Sequence, residues 1–329
     1  MKISRWIAPL LIVVICCSGW GFLVHRTVNQ LAVYQLPKKM QPFFHEHMNY
    51  LVKYAVRPDQ RRFSDHNEAP KHFIDAEPYG DSSLWKMPQT WNGAIAIYTT
   101  DTLYKYGYVP YWVMEMKNKL TRAFRNKNRD SIIFYATDMG HYIADAHVPL
   151  HTTENYDGQL TDQKGLHSLW ESTIPELEIS QYQLYNGHKA KYLRHPEKDI
   201  WNAVRTANSL VSEVLQLERE ATKQFTDSTK YRIQRRNGNE VKSYTSAFAR
   251  AYGKLLGNMI NERLLKSSNL IADFWYTCWI DGGKPDLNAM MQNNSAEDKS
   301  NLKKEMKAYR TNQLLKENLL IARQSKEEE

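Results

Sequence analysis

Along most of the chain apolar residues recur at three- and four-residue intervals, while alternating, strand-like stretches are scarce. That pattern predicts an all-α protein. The spacing predicts helices over residues 24–35, 40–56, 92–106, 110–126, 129–147, 198–221, 243–267 and 268–280. Gly, Asp, Ser and Pro gather at Gly80 to Pro88 and at Tyr156 to Gly165, which read as loops. From Ser295 to Glu329 the chain is rich in Lys, Glu, Asn and Gln, with Leu302, Met306, Tyr309, Leu314, Leu315, Leu319 and Leu320 at loosely helical spacing. A solvated peripheral helix or frayed tail is expected there, since a membrane-surface helix needs a stronger apolar face. No internal repeat is visible.

The amino terminus departs from this pattern. Met1-Lys2-Ile3-Ser4-Arg5 is a short basic stretch, Trp6 to Cys17 is an apolar run of signal-peptide length, and Cys17, Ser18 and Gly19 offer small residues for cleavage before Trp20. The run is shorter than the roughly 20 residues of a membrane span. The alternatives are an uncleaved anchor or lipidation at Cys16 or Cys17, which lack the usual small residue ahead of them. The expected organisation is a signal peptide over 1–19, one multi-helix domain over 20–290 and a charged C-terminal helix or tail over 291–329. Such a protein is exported, to the periplasm or outside the cell.

Cleavage leaves Cys278 as the only cysteine, which excludes an intrachain disulfide and a thiolate metal site. Any metal must therefore take nitrogen and oxygen ligands. With 42% hydrophobic and 24% charged residues the chain has ample core material. The formal net charge of +8 falls to about +6 once Lys2 and Arg5 leave. That mild surplus suits a phosphate-bearing substrate or an anionic membrane surface, but it is equally ordinary for a soluble protein.

The densest chemistry lies in His141-Tyr142-Ile143-Ala144-Asp145-Ala146-His147-Val148-Pro149-Leu150-His151. His141 and Asp145 stand i, i+4 on one helix face and can share a metal. Pro149 ends the helix, which lets His151 turn back toward the same pocket. His167 and Glu171 repeat the i, i+4 pair. Imidazole mixed with carboxylate suits zinc in a hydrolytic site. His147 falls on another helical face and reads as a packing or outer residue.

These residues resemble the superfamily that joins bacterial zinc-dependent phospholipases C and single-strand-specific zinc nucleases. The resemblance implies an all-helical fold around three zinc ions, and a mature chain that begins with a Trp whose amine and carbonyl oxygen are ligands. Trp20-Gly21-Phe22-Leu23-Val24-His25 matches that start, making Trp20 and His25 ligands. It also implies that Asp59 and His72 join His141 and Asp145, that Asp145 bridges to the metal of Trp20 and His25, and that His151, His167 and Glu171 hold the remaining zinc. The ten-residue step from His141 to His151 agrees with the family. Asp65 and Asp75 stand as alternatives to Asp59.

The implied activity is phosphodiester hydrolysis, with a zinc-bound hydroxide attacking phosphorus and Asp59 also orienting or deprotonating the water. Glu171, the short run from His151 to His167 and the lack of paired cysteines look more like the phospholipase branch, so phospholipid is the preferred substrate, with possible peripheral membrane contact. The alternative is a nuclease or nucleotidase acting on single-stranded nucleic acid. A third reading is a non-catalytic, metal-dependent ligand-binding protein. Trp85, Trp91, Tyr98, Tyr104, Tyr106, Tyr108, Tyr111 and Trp112 can stack bases or meet lipid, though helix packing is their commonest role. Nothing in the sequence identifies a protein partner.

Overall fold

The Phe22–Gln35 helix has almost no solvated face, and from Leu23 to Gln35 only Val24 escapes full burial. A helix buried all round must satisfy its polar side chains internally. Thr27 donates to Leu23 O at 2.7 Å, and Asn29 Nδ2 donates to Leu51 O at 3.1 Å and Thr137 O at 3.3 Å. Gln30 Nε2 donates to Leu319 O at 2.7 Å. In the computed structural model, which describes residues 21–236, 239–292 and 295–324, this helix is the hub. The Met48–Lys53, Arg129–Asp145 and Met259–Asp281 helices pack around it, and Val109–Arg125 packs on the latter two.

The Phe22–Gln35 and Arg129–Asp145 helices pack together at Gly140, where a Cβ would overlap Asn29 Oδ1 and force that buried side chain to move. One residue further on, the His141 ring stacks on the His25 ring at 4.0 Å. Trp275 closes the other side of the core, stacked on Phe44 at 5.0 Å with its indole N–H donating to Ala136 O at 3.1 Å.

The all-helical expectation holds, and several breaks refine it. The 40–56 helix divides into Gln41–Glu46 and Met48–Lys53 at His47, whose φ of −102° and ψ of 15° leave the helical region. The 92–106 helix divides at Thr99, whose φ is +62° and whose side chain accepts from Thr102 N. The 198–221 segment is two helices, Pro196–Asn208 and Val211–Thr222. The chain turns at Gly257, so the expected 243–267 and 268–280 helices become Ser246–Leu256 and a continuous Met259–Asp281. Within the 80–88 loop a short helix forms over Ser83–Lys86.

An antiparallel hairpin of Tyr231–Arg236 and Asn239–Tyr244, paired Tyr231 to Tyr244, was not expected. Asn237-Gly238, outside the described residues, is the sequence mark of such a turn. The C-terminal segment is also more than a solvated tail. Ala296–Arg310 is a helix, and Tyr309, Leu314, Leu320 and Ala322 are buried. Gln35 Nε2 donates to Tyr309 OH at 3.1 Å and Ile321 N to Gln30 Oε1 at 3.0 Å, so the segment completes the sheath around the buried Phe22–Gln35 helix.

Candidate metal centre

The Arg129–Asp145 helix starts at Asn128, whose side chain accepts from Ser131 N at 2.9 Å, and delivers His141 and Asp145 to the core on its last turns. Val148 is extended, as a residue before proline must be, and the turn Pro149–Thr152 then reverses the chain. His151 is thereby brought against the 72–74 segment, with its Nδ1 on His72 O at 2.9 Å while Ile74 N donates to His151 O at 2.9 Å. His167 lies in the short Leu166–Ser168 turn, and Glu171 in the wider π-helical turn Leu169–Thr173 that continues it. Such widened turns recur where a helix carries functional groups.

The side chains converge in three overlapping donor groups: His25, His141 and Asp145; Asp59, His72 and His141; and His151, His167 and Glu171. In the second group His72 Nδ1 is 3.1 Å from His141 Nε2, and each is 3.7 Å from Asp59 Oδ1. In the third, His151 Nε2 is 3.0 Å from His167 Nε2, and Glu171 Oε2 is 2.6 Å from His167 and 3.6 Å from His151. Asp145 joins the first two groups, with Oδ1 3.4 Å from His25 Nε2 and Oδ2 3.2 Å from His141 Nε2 and 2.9 Å from His72 Nδ1. His25 Nε2 is also 3.3 Å from Glu171 Oε1.

These spacings match a metal better than a hydrogen-bonded cluster. Donors bound tetrahedrally at about 2.0–2.1 Å stand about 3.3 Å apart, and the measured separations scatter around that edge length. The Nδ1 atoms of His141 and His151 are committed to the carbonyl oxygens of Ala55 and His72, so their Nε2 lone pairs converge. Burial opposes charge on His72, His141 and His167, but the carboxylates beside them draw all three above the usual imidazole range. Burial opposes charge on Asp145, but His141 and His151 hold it well below the usual carboxylate range. Glu171 is likewise held well below by hydrogen bonds from His151, His167 and His25, against its burial. Both carboxylates therefore remain ionised, the form in which they can ligate a metal.

Asp59 is within reach of two imidazoles, whereas Asp65 and Asp75 belong to none of the three groups. Asp65 is half-buried and 3.9 Å from Lys71 Nζ. Asp75 is pushed up to about 7 by burial, with Glu77 and Glu154 adding to the effect. His147 Nδ1 donates to Ile143 O, 2.7 Å away, and burial pushes the imidazole down to about 4, which keeps it neutral. Trp20 lies outside the described residues. Gly21 lies against the site, because a Cβ on it would be 3.4 Å from Glu171 Oε1. Most of the aromatic run is packing: Trp91 contacts Tyr104, Tyr108 and Tyr111, and Tyr111 meets Trp201. Trp85 is exposed, with the Arg205 guanidinium over its ring.

Residues that sequence reading passed over hold the donors in place. Glu68, 1% exposed, accepts from Arg61 Nη2 at 3.1 Å, Lys71 Nζ at 2.6 Å and the Tyr142 hydroxyl. Its Oε1 lies 3.7 Å from His72 Nε2, which favours a proton on that nitrogen and leaves Nδ1 free to face the other donors. Asp138 accepts from Arg57 at 2.6 Å and Arg61 at 2.8 Å, pinning the Arg57–Arg61 turn that carries Asp59. Glu68 is four residues before His72 and Asp138 three before His141, spacings that suggest a shared surface only once those histidines are known to matter.

A family profile described as S1/P1 Nuclease matches residues 20–274, a span that contains all three donor groups. No curated protein matches the chain.

Proposed function

For a chain that belongs to the S1/P1 nuclease family, we propose an exported hydrolase that cleaves phosphodiester bonds of single-stranded nucleic acid, with its zinc ions held by the three donor groups. Members of the family are zinc-dependent phosphodiester hydrolases, which sets the reaction class. The observation that carries the zinc-hydrolase reading is the convergence of imidazoles and ionised carboxylates at metal-ligand spacing inside the matched span, and the nucleic-acid substrate follows the family that the profile describes. His25 and Asp145, with Trp20 at a processed amino terminus, would hold one ion. Asp59, His72, His141 and Asp145 would hold a second, and His151, His167 and Glu171 a third. Gly21 itself lies against the cluster, with its Cβ position 3.4 Å from Glu171 Oε1.

Zinc held there supplies Lewis acidity, lowering the pKa of water and neutralising charge that develops on phosphoryl oxygens. Asp59 is 29% exposed, unlike the 1% of Asp145, so its carboxylate faces both the donors and the solvent side where substrate arrives. It is placed to orient the attacking water and accept its proton. The Tyr156 ring is half-exposed with its centroid 6.2 Å from that of His167, a platform on which a nucleobase can stack.

The sequence-based preference for the phospholipase branch rests on Glu171, the short His151 to His167 interval and the lack of paired cysteines, and the family match does not favour it over the nuclease branch. Phospholipid is therefore the second reading. The test uses the chain starting at Trp20, reconstituted with zinc, assayed by metal analysis and by turnover on single-stranded DNA and phosphatidylcholine vesicles. The expected result is one ion per donor group and nucleotide release. Head-group release alone would move the assignment to phospholipid, and a protein that takes up no zinc would overturn both.

A further inference from the structure

His167 is the most exposed imidazole of the three donor groups, at 28%, and it sits at the end of a loop rather than inside a long helix. Its place must therefore be set by whatever holds that loop. Asp157 supplies part of the answer, its backbone carbonyl accepting from Gly165 N at 3.1 Å and its side chain standing 3.4 Å from His167 N. Gln163 supplies the rest. Gln163 N donates to Gly158 O at 2.8 Å, Leu166 N donates to Gln163 O at 3.2 Å, and the Gln163 side chain leaves the loop for a buried carboxylate on another helix.

That carboxylate is Glu218, 1% exposed on the Val211–Thr222 helix. Its Oε2 accepts from Gln163 Nε2 at 2.5 Å, and its Oε1 is 2.8 Å from Lys230 Nζ and 3.1 Å from the Tyr244 hydroxyl. The same hydroxyl is 3.1 Å from Gln163 O. Lys230 and Tyr244 stand at the base of the 231–244 hairpin, and the Tyr244 ring covers Gly165, whose φ is +97° and whose Cβ position lies 3.4 Å from that ring. A left-handed conformation under an aromatic lid favours glycine and fixes the direction in which the chain leaves for His167. Glu218 thus joins helix, hairpin and loop at one charged point, which buries only because all its partners are present.

We propose that Glu218 is a positioning residue for the His151, His167 and Glu171 group, acting through Gln163 and Tyr244 to hold His167 at ligating distance. This rests on the metal reading of that group. A carboxylate that orders a ligand-bearing loop should affect metal affinity by the ~10–100-fold typical of outer-shell partners. The experiment compares unsubstituted protein, Glu218→Gln, Tyr244→Phe and His167→Ala, all as full chains starting at Trp20, by zinc titration against a chelator and by the visible absorption of the cobalt-substituted protein.

His167→Ala should lose one ion outright. Glu218→Gln should weaken that same ion by ~10-fold or more and alter its cobalt spectrum, leaving the other ions unchanged, with Tyr244→Phe showing a smaller change of the same kind. Unchanged affinity and spectrum in a folded Glu218→Gln protein, with only a lowered melting temperature, would make Glu218 a fold residue and overturn the proposal while the metal reading survives. If His167→Ala loses no ion, both fall. Should Glu218→Gln fail to fold, Tyr244→Phe decides by the same criteria.

Discussion

The two ends of the donor cluster are built differently. His72, His141 and Asp145 are at most 2% exposed, rise from or lean on the Arg129–Asp145 helix, and are braced by Arg57, Arg61, Glu68, Asp138 and Tyr142. His151, His167 and Glu171 stand on short turns, closer to solvent, and are braced by Asp157 and the Gln163 connection to Glu218. Close packing and charge-assisted bonds make the first end a preorganised cradle, because every side chain there has one arrangement that satisfies its neighbours. The second end buys access at the cost of depending on a loop.

The contrast can be broken most directly at the histidines. His141 belongs to two donor groups and His167 to one, so His141→Ala should reduce turnover to the level of the metal-free protein and lose more zinc than His167→Ala, as read by metal analysis of both. Equal losses would mean the two ends do not differ as described. Next in size, Asp138→Asn takes the carboxylate from Arg57 and one of the two carboxylates from Arg61 in a largely buried place, and should cost about 3 kcal/mol in urea unfolding of the metal-free protein. The matching change at the loop end, Asp157→Ala, should cost less than about 1 kcal/mol, since it removes one long contact near the surface.

Glu68→Gln sharpens the comparison on the metal side. Loss of its charge should weaken zinc at the Asp59, His72 and His141 group by ~10-fold in chelator titration, with the His151, His167 and Glu171 group unaffected. The smallest effect belongs to Asp157→Ala on metal binding, a few-fold loss confined to the other group. If Glu68→Gln and Asp157→Ala weakened the same ion, the two ends would be one coupled unit.

Much of the fold and half of the cluster could be read from the chain before any coordinates. His141 with Asp145, and His167 with Glu171, are neighbours because a helical turn sets distances over four residues by itself, and Pro149 breaks its helix wherever that helix lies. Helix existence was legible for the same reason, whereas the breaks at His47, Thr99 and Gly257 depend on where each segment must dock. The hairpin was overlooked because its alternation is short and strongly polar, leaving Asn237-Gly238 as its one local mark.

Local periodicity thus determined the all-helical class and the paired donors, since those follow from interactions spanning a few residues. The family resemblance implied that Asp59 and His72 join His141, while only the tertiary structure decided that His25 stacks on His141 and that Glu68, Asp138 and Glu218 stand behind the donors. Most of those contacts join segments separated by tens of residues, as His25 with His141 and Gln163 with Glu218 do. Convergence of that kind is a property of packing, and no spacing along the chain encodes it.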